Sequence, residues 1–85
     1  MPTEFIWDLD DDPQGNIRHL AEHGLSIDDV IHAFETAFDY DISRSSGRPL
    51  LHGFASDDFA QIVVIYERVE DDVVYVVTAF ERNAS

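Results

Sequence analysis

The spacing of apolar residues changes character along this 85-residue chain. Residues 4–7, EFIW, alternate weakly and predict a short first strand. Asp12-Pro13 then predicts a helix start. Aspartate accepts hydrogen bonds from first-turn amides, and proline at the first helical position has no amide to leave unpaired. Ile17, Leu20 and Ala21 follow at helical spacing, and Gly24 suits the end of that helix. Ser26 with Asp29 predicts a second helix opened by a capping box in which Asp replaces the usual Glu. Its apolar stripe is Ile27, Val30, Ile31, Phe34 and Phe38. Asp28 and Asp29 suit the positive end of its dipole.

After residue 40 the period shortens. SRSSGRP (43–49) is turn-rich, and 39–48 reads as a loop. LLHGFAS, FAQIVVIYERV and VVYVVTAFE are rich in Val, Ile, Tyr and Phe, with acidic breaks at Asp57-Asp58 and Glu70-Asp71-Asp72. They predict a three-stranded antiparallel meander. A short N-terminal strand, two helices and this meander make an α+β fold, one domain over residues 1–85.

The strands are apolar on both faces. Strict alternation puts Val74, Val76, Thr78 and Phe80 on one face of the last strand and Val73, Tyr75, Val77 and Ala79 on the other. In the strand before it, Ile62, Val64 and Tyr66 oppose Phe59, Val63 and Ile65. Two helices cover one face. The other is left partly apolar, which predicts a partner protein or a second copy against it, unless loop 39–48 folds over it.

Charge narrows the partners. The formal net charge is −13, with 18 acids against five bases. The bases are Arg18, Arg44, Arg48, Arg68 and Arg82, and there is no lysine. Such a chain repels phosphate backbones, which disfavours RNA and argues against DNA binding by the chain alone. A local group of three arginines still offers RNA a foothold. The acid excess aids solubility and suits a high-salt habitat. The absence of cysteine excludes disulfides, a thiol nucleophile and thiolate metal sites. No apolar run approaches the roughly 20 residues that span a bilayer. MPTEF has neither a basic cluster nor an apolar core, so no secretory signal is expected and the setting is cytoplasmic.

Asp8, Asp10 and Asp12 match the start of a calcium loop, but Pro13 stands where its glycine belongs and His19 where its bidentate glutamate belongs. His19 and His23 share a helix face without a third zinc ligand at an obvious spacing, although His32 or His52 could approach in space. No metal is expected. The serines lie in turns or at termini, and the four glycines are scattered, so neither a nucleophile elbow nor a phosphate loop is present and no cofactor is implied. General acid–base chemistry is a better candidate. Arg48 and His52 fall on one strand face, and Gln61, Glu67, Tyr75 and Glu81 have the parity to join them. An Arg, a His and a Glu on one surface supply a clamp, an acid and a base for phosphodiester cleavage by 2′-OH attack without a metal. Ordinary surface polarity accounts for the same residues.

FIWD, then Asn16, then HGLS, then Arg48 five residues before Gly53, then a closing VVTA, resembles the BrnT toxins of bacterial type II toxin–antitoxin systems. That family opens F-x-W-D, continues through an Asn to K-H-G-[IV]-S, and has R-x-x-x-x-G before a final I-I-S-A-R. Phe5, Trp7, Asp8, Asn16, His23, Gly24, Ser26, Arg48, Gly53 and Ala79 occupy those positions, so the resemblance runs over nearly the whole chain. It implies a RelE-like ribonuclease fold, RNA cleavage and neutralisation by an antitoxin. On that reading Arg48 clamps phosphate, His52 and Glu67 exchange protons, and Arg44, Arg68 and Tyr75 hold substrate. The chain departs from the pattern where acids including Asp10 and Asp11 replace a lysine after W-D, where Glu22 replaces the lysine before H-G, and where Phe80 replaces the closing arginine. The Trp7-to-His23 spacing is longer by about four residues, or one helical turn, so the helix face is kept. The fold is thus expected to carry over better than the activity. The expected functions are a possible endoribonuclease toxin, weakened or altered, or a non-catalytic protein-interaction module that uses the apolar sheet face.

Overall fold

The computed structural model describes residues 4–8, 12, 14–56 and 60–82. Seven elements follow in order: β1 (Glu4–Ile6), α1 (Asn16–Glu22), α2 (Ile27–Glu35), β2 (Asp39–Ile42), β3 (Pro49–Phe54), β4 (Gln61–Glu70) and β5 (Val73–Glu81). They form an α+β fold with one five-stranded mixed sheet in the order β1-β5-β4-β3-β2. The consecutive strands β3, β4 and β5 pair antiparallel, as the meander predicts. The sheet is larger than that meander at both edges. β1 joins β5 in parallel, and residues 39–42, expected in a loop, form strand β2 against β3.

α1 does not open at Asp12-Pro13. Its first residue is Asn16, and Gly15 in the N-cap position has no side chain to offer. The cap comes instead from Asp8, whose Oδ2 accepts the Asn16 amide at 3.0 Å. Asp12 shapes the approach, its Oδ1 accepting the Gln14 amide at 2.9 Å, while Pro13 lies outside the described residues. At the far end Gly24, with φ of 75°, lets the chain reverse. The Gly24 amide donates to Ala21 O and the Leu25 amide to Leu20 O, the two bonds of a Schellman ending.

α2 opens on the predicted capping box. The Asp29 amide donates to Ser26 Oγ at 3.3 Å, and the Ser26 amide donates to Asp29 Oδ2 at 3.0 Å. Its stripe buries Val30, Ala33 and Phe34 against Leu51, Ile62, Val64, Tyr66 and Val76. Burial of each Val- or Phe-sized side chain contributes about 1.5–3 kcal/mol. Phe38 does not belong to the stripe: it follows the helix, is 50% exposed, and lies against Phe54 at 5.3 Å between ring centroids. Gly53 is where α2 meets the sheet, because a Cβ there would lie 2.3 Å from Ala33 O.

Register decides the faces. Gly53 pairs with Ile62, Leu51 with Val64 and Tyr66 with Val76, all toward the helices. An irregularity between Ile65 and Tyr66 leaves Val77 as an extra residue on β5, since Ile65 pairs with Thr78 and Tyr66 with Val76. Strict alternation therefore fails beyond Val76: Ala79 is buried toward the helices, while Thr78 and Phe80 face away. The outer face carries Leu50, His52, Phe54, Val63, Ile65, Thr78 and Phe80, all half-buried except the buried Val63. Residues 39–48 run along the sheet edge rather than over this face.

That edge has a particular chemistry. Ser43 N donates to Arg48 O, closing the β2–β3 ladder so that the amides of Tyr40 and Ile42 point outward. Each is already taken by the carboxylate before it, Asp39 Oδ1 at 2.9 Å and Asp41 Oδ1 at 2.8 Å. No helix among the described residues is long and apolar enough to cross a membrane.

Candidate functional site

The sheet brings three of the six expected site residues into one row. Arg48, at the end of the 44–47 turn, reaches across to β4, where its Nε donates to Glu67 Oε1 at 2.6 Å. Glu67 pairs with Tyr75 on β5. The Arg48–Glu67 ion pair is surface-exposed, so water screens it and its contribution to stability is at most about 1 kcal/mol.

Tyr75 ends the row on a different partner. Its hydroxyl donates to Asp8 Oδ2 at 2.6 Å. That bond, burial and the Asp8 charge push the Tyr75 phenol up to about 12. The same bond, with the Asn16 amide next, holds the Asp8 carboxyl below the usual carboxylate range. Tyr75 is therefore protonated at neutral pH and its proton is directed at Asp8.

The other three residues lie elsewhere. His52 faces outward, but it is four strand residues from Arg48, roughly 13 Å along the strand. Its ring sits 6.1 Å from that of Phe38, and its Nδ1 is enclosed without a hydrogen-bond partner. A clamp–acid–base triad of Arg48, His52 and Glu67 is not assembled in this arrangement. Arg44 is exposed in the β2–β3 turn. Arg68 is on the opposite face, pairing with the buried Val74, and lines a cleft of about 150 Å³ together with Tyr40 and Tyr66. The Tyr40–Tyr66 wall is absent from the sequence reading. Of the histidines weighed for zinc, His23 packs at 6.1 Å from the Phe80 ring, and no group of three potential metal ligands exists among the described residues.

No family model matches this chain, and no curated protein or solved structure matches it either.

The residues that carry the BrnT likeness have structural work to do. Asn16, 1% exposed, is the clearest case. Its Oδ1 accepts the Asp8 amide at 2.9 Å, and its Nδ2 donates to Ile6 O at 3.0 Å and Val76 O at 2.9 Å. One side chain thus ties α1 to β1 and β5. Phe5 meets Phe34 edge-on at 5.0 Å and stacks near Trp7 at 6.1 Å, both against the core. His23 and Gly24 end α1, Ser26 opens α2, Gly53 admits α2, and Ala79 is fully buried. Asp29 adds a tether that the motif does not contain. Its Oδ1 accepts the Ser56 amide at 3.0 Å and the Ser56 hydroxyl at 2.8 Å, joining α2 to the end of β3. Burial works against the Asp29 charge, but the bonds from Ser56 and Ser26 outweigh it and lower its pKa.

Proposed function

We propose that this chain is a cytoplasmic protein-interaction module of the BrnT-like group, with the RelE-like arrangement of strand, helices and antiparallel strands, whose outer sheet face docks a basic, antitoxin-like protein. The observation that carries this reading is the outer face itself. Leu50, Phe54, Ile65 and Phe80 make it apolar, and Asp39, Asp41 and Glu67 have the parity to border it with acid. A second copy would bring another charge of −13 against the first, so a basic partner fits better than self-association. The residues behind the family likeness other than Arg48 support the fold. The arginine best placed to clamp phosphate is already ion-paired with Glu67.

One observation favours a second reading. Arg48, Glu67 and Tyr75 form a continuous row, and in a metal-independent endoribonuclease they would be clamp, base and substrate contact. One experiment separates the two. Purified protein is incubated with total RNA, and the product of any adjacent basic gene is titrated against wild type and Ile65→Asp. Tight binding that Ile65→Asp weakens at least tenfold, with intact RNA, is the expected result. RNA cleavage that disappears in both Arg48→Ala and Glu67→Gln would overturn the module reading in favour of the ribonuclease.

A further inference from the structure

The helix side of the sheet is not closed everywhere. Where α2 ends and β2 begins, a cleft of about 150 Å³ remains, floored by Phe34 and Val74. Tyr40 and Tyr66 line it, with Arg68 and the Asp71-Asp72 turn. It lies on the opposite face from Arg48 and Glu67 and is independent of the docking face proposed above.

Three features make this more than a gap in packing. Tyr66 is 6% exposed, with its ring edge-on to Phe34 at 5.2 Å, yet its hydroxyl makes no hydrogen bond among the described residues and is not among the polar atoms sealed from solvent. The hydroxyl of this largely buried phenol therefore opens onto the cleft, where it can donate to a bound group. Arg68, exposed at the rim of the same space, makes no ion pair among the described residues. Asp71 lines it too without an ion pair, so the cleft presents a guanidinium and a carboxylate that do not neutralise each other.

The volume sets the size of ligand. Drug-sized ligands occupy pockets of about 300–1,000 Å³, so this cleft takes something much smaller. The apolar floor calls for a short hydrocarbon group, Arg68 and the Tyr66 hydroxyl for a carboxylate, and Asp71 for an ammonium. We infer that the cleft between Tyr40, Tyr66 and Arg68 binds a small zwitterion, a free α-amino acid with an aliphatic side chain. The carboxylate sits at Arg68 and Tyr66, the ammonium at Asp71, and the side chain on Phe34 and Val74.

Three ligands that share the leucine side chain test each charge. L-leucine carries both, N-acetyl-L-leucine keeps only the carboxylate, as a peptide C-terminus does, and L-leucine amide keeps only the ammonium, as an N-terminus does. Each is titrated into the ¹⁵N-labelled full chain. The expected result is that L-leucine shifts the amides of Phe34, Tyr40, Tyr66, Arg68 and Val74, while either analogue binds at least tenfold more weakly. Arg68→Gln and Tyr66→Phe remove one charge and one hydroxyl with little change of shape. Arg68→Gln should weaken L-leucine by roughly 10- to 100-fold, the usual worth of a hydrogen bond to a charged group, and Tyr66→Phe by a few-fold. Unchanged spectra at tens of millimolar L-leucine would overturn the site. So would either analogue matching L-leucine, which would make this a peptide-terminus or simple cation pocket, or full binding by Arg68→Gln with a native spectrum.

Discussion

Replacing Asn16 with leucine removes the polar end of a side chain while keeping a comparable volume. Three hydrogen bonds go with it: from the Asp8 amide, and to Ile6 O and Val76 O. Each contributes a net 0.5–1.5 kcal/mol, so the loss is about 3 kcal/mol. The Val76 carbonyl bond is fully buried, and an acceptor orphaned there keeps its desolvation penalty. Leucine burial offsets part of this, and the loss of a fixed Asp8 cap adds to it. A domain of this length has a total stability of roughly 4–13 kcal/mol, so the substitution removes a large share. With an unfolding entropy near 2.1 cal/mol/K per residue, 3 kcal/mol corresponds to a fall in Tm of roughly 17 °C. Circular dichroism melts and urea titrations measure both quantities. Asn16→Asp sharpens the test, because it keeps the acceptor for the Asp8 amide and loses both donors. Its carboxylate then faces two carbonyls and Asp8, so it should destabilise more than leucine at pH 7 and recover part of the difference as acid protonates it. A leucine variant that melts within 5 °C of wild type would refute the tether.

Gly53→Ala places a methyl group 2.3 Å from Ala33 O, and relieving that contact moves α2 off β3. A loss of about 2–3 kcal/mol in urea titration is expected, the upper range for overpacking. Alkaline pH probes Tyr75 and Asp8. A phenol raised from 10 to about 12 by folding contributes fully below pH 10 and loses its contribution as pH rises through 12, so Tm should decline across that window. Tyr75→Phe should flatten the decline, leaving the part due to Tyr66, whose phenol burial also raises. Asp8 and Asp29 are lowered below 3.8 by folding, so their contribution is present above that value and disappears as pH falls through the lower folded one.

How much of this was legible in the sequence depends on how far each signal reaches along the chain. The start of α2 was legible because Ser26 and Asp29 form their box three residues apart. The start of α1 was not, because its cap comes from Asp8, eight residues before Asn16 and across a turn. β5 was bounded correctly by its own composition, VVYVVTAFE, but the side on which Ala79 and Phe80 fall depends on an irregularity set by pairing with β4. β2 did carry a local signal, the alternation Asp39-Tyr40-Asp41-Ile42, overshadowed by the turn residues that follow. Parity alone was enough to join Arg48 to Glu67 and Tyr75. It was not enough to bring His52 to them, since sharing a strand face says nothing about distance along the strand. The Tyr40–Tyr66 cleft is a space between elements, and no local pattern records a space.

The two aspartates on β2 reach beyond their own strand. A sheet can be extended indefinitely when its outermost strand offers unused amides to the next chain. Here the outward amides of Tyr40 and Ile42 are already occupied, and an arriving backbone would have to displace a carboxylate for each bond it gained. Growth along this margin is closed. Assembly through the proposed outer face would then have a natural end point, one surface covered by one partner, because this edge offers no template for a further strand.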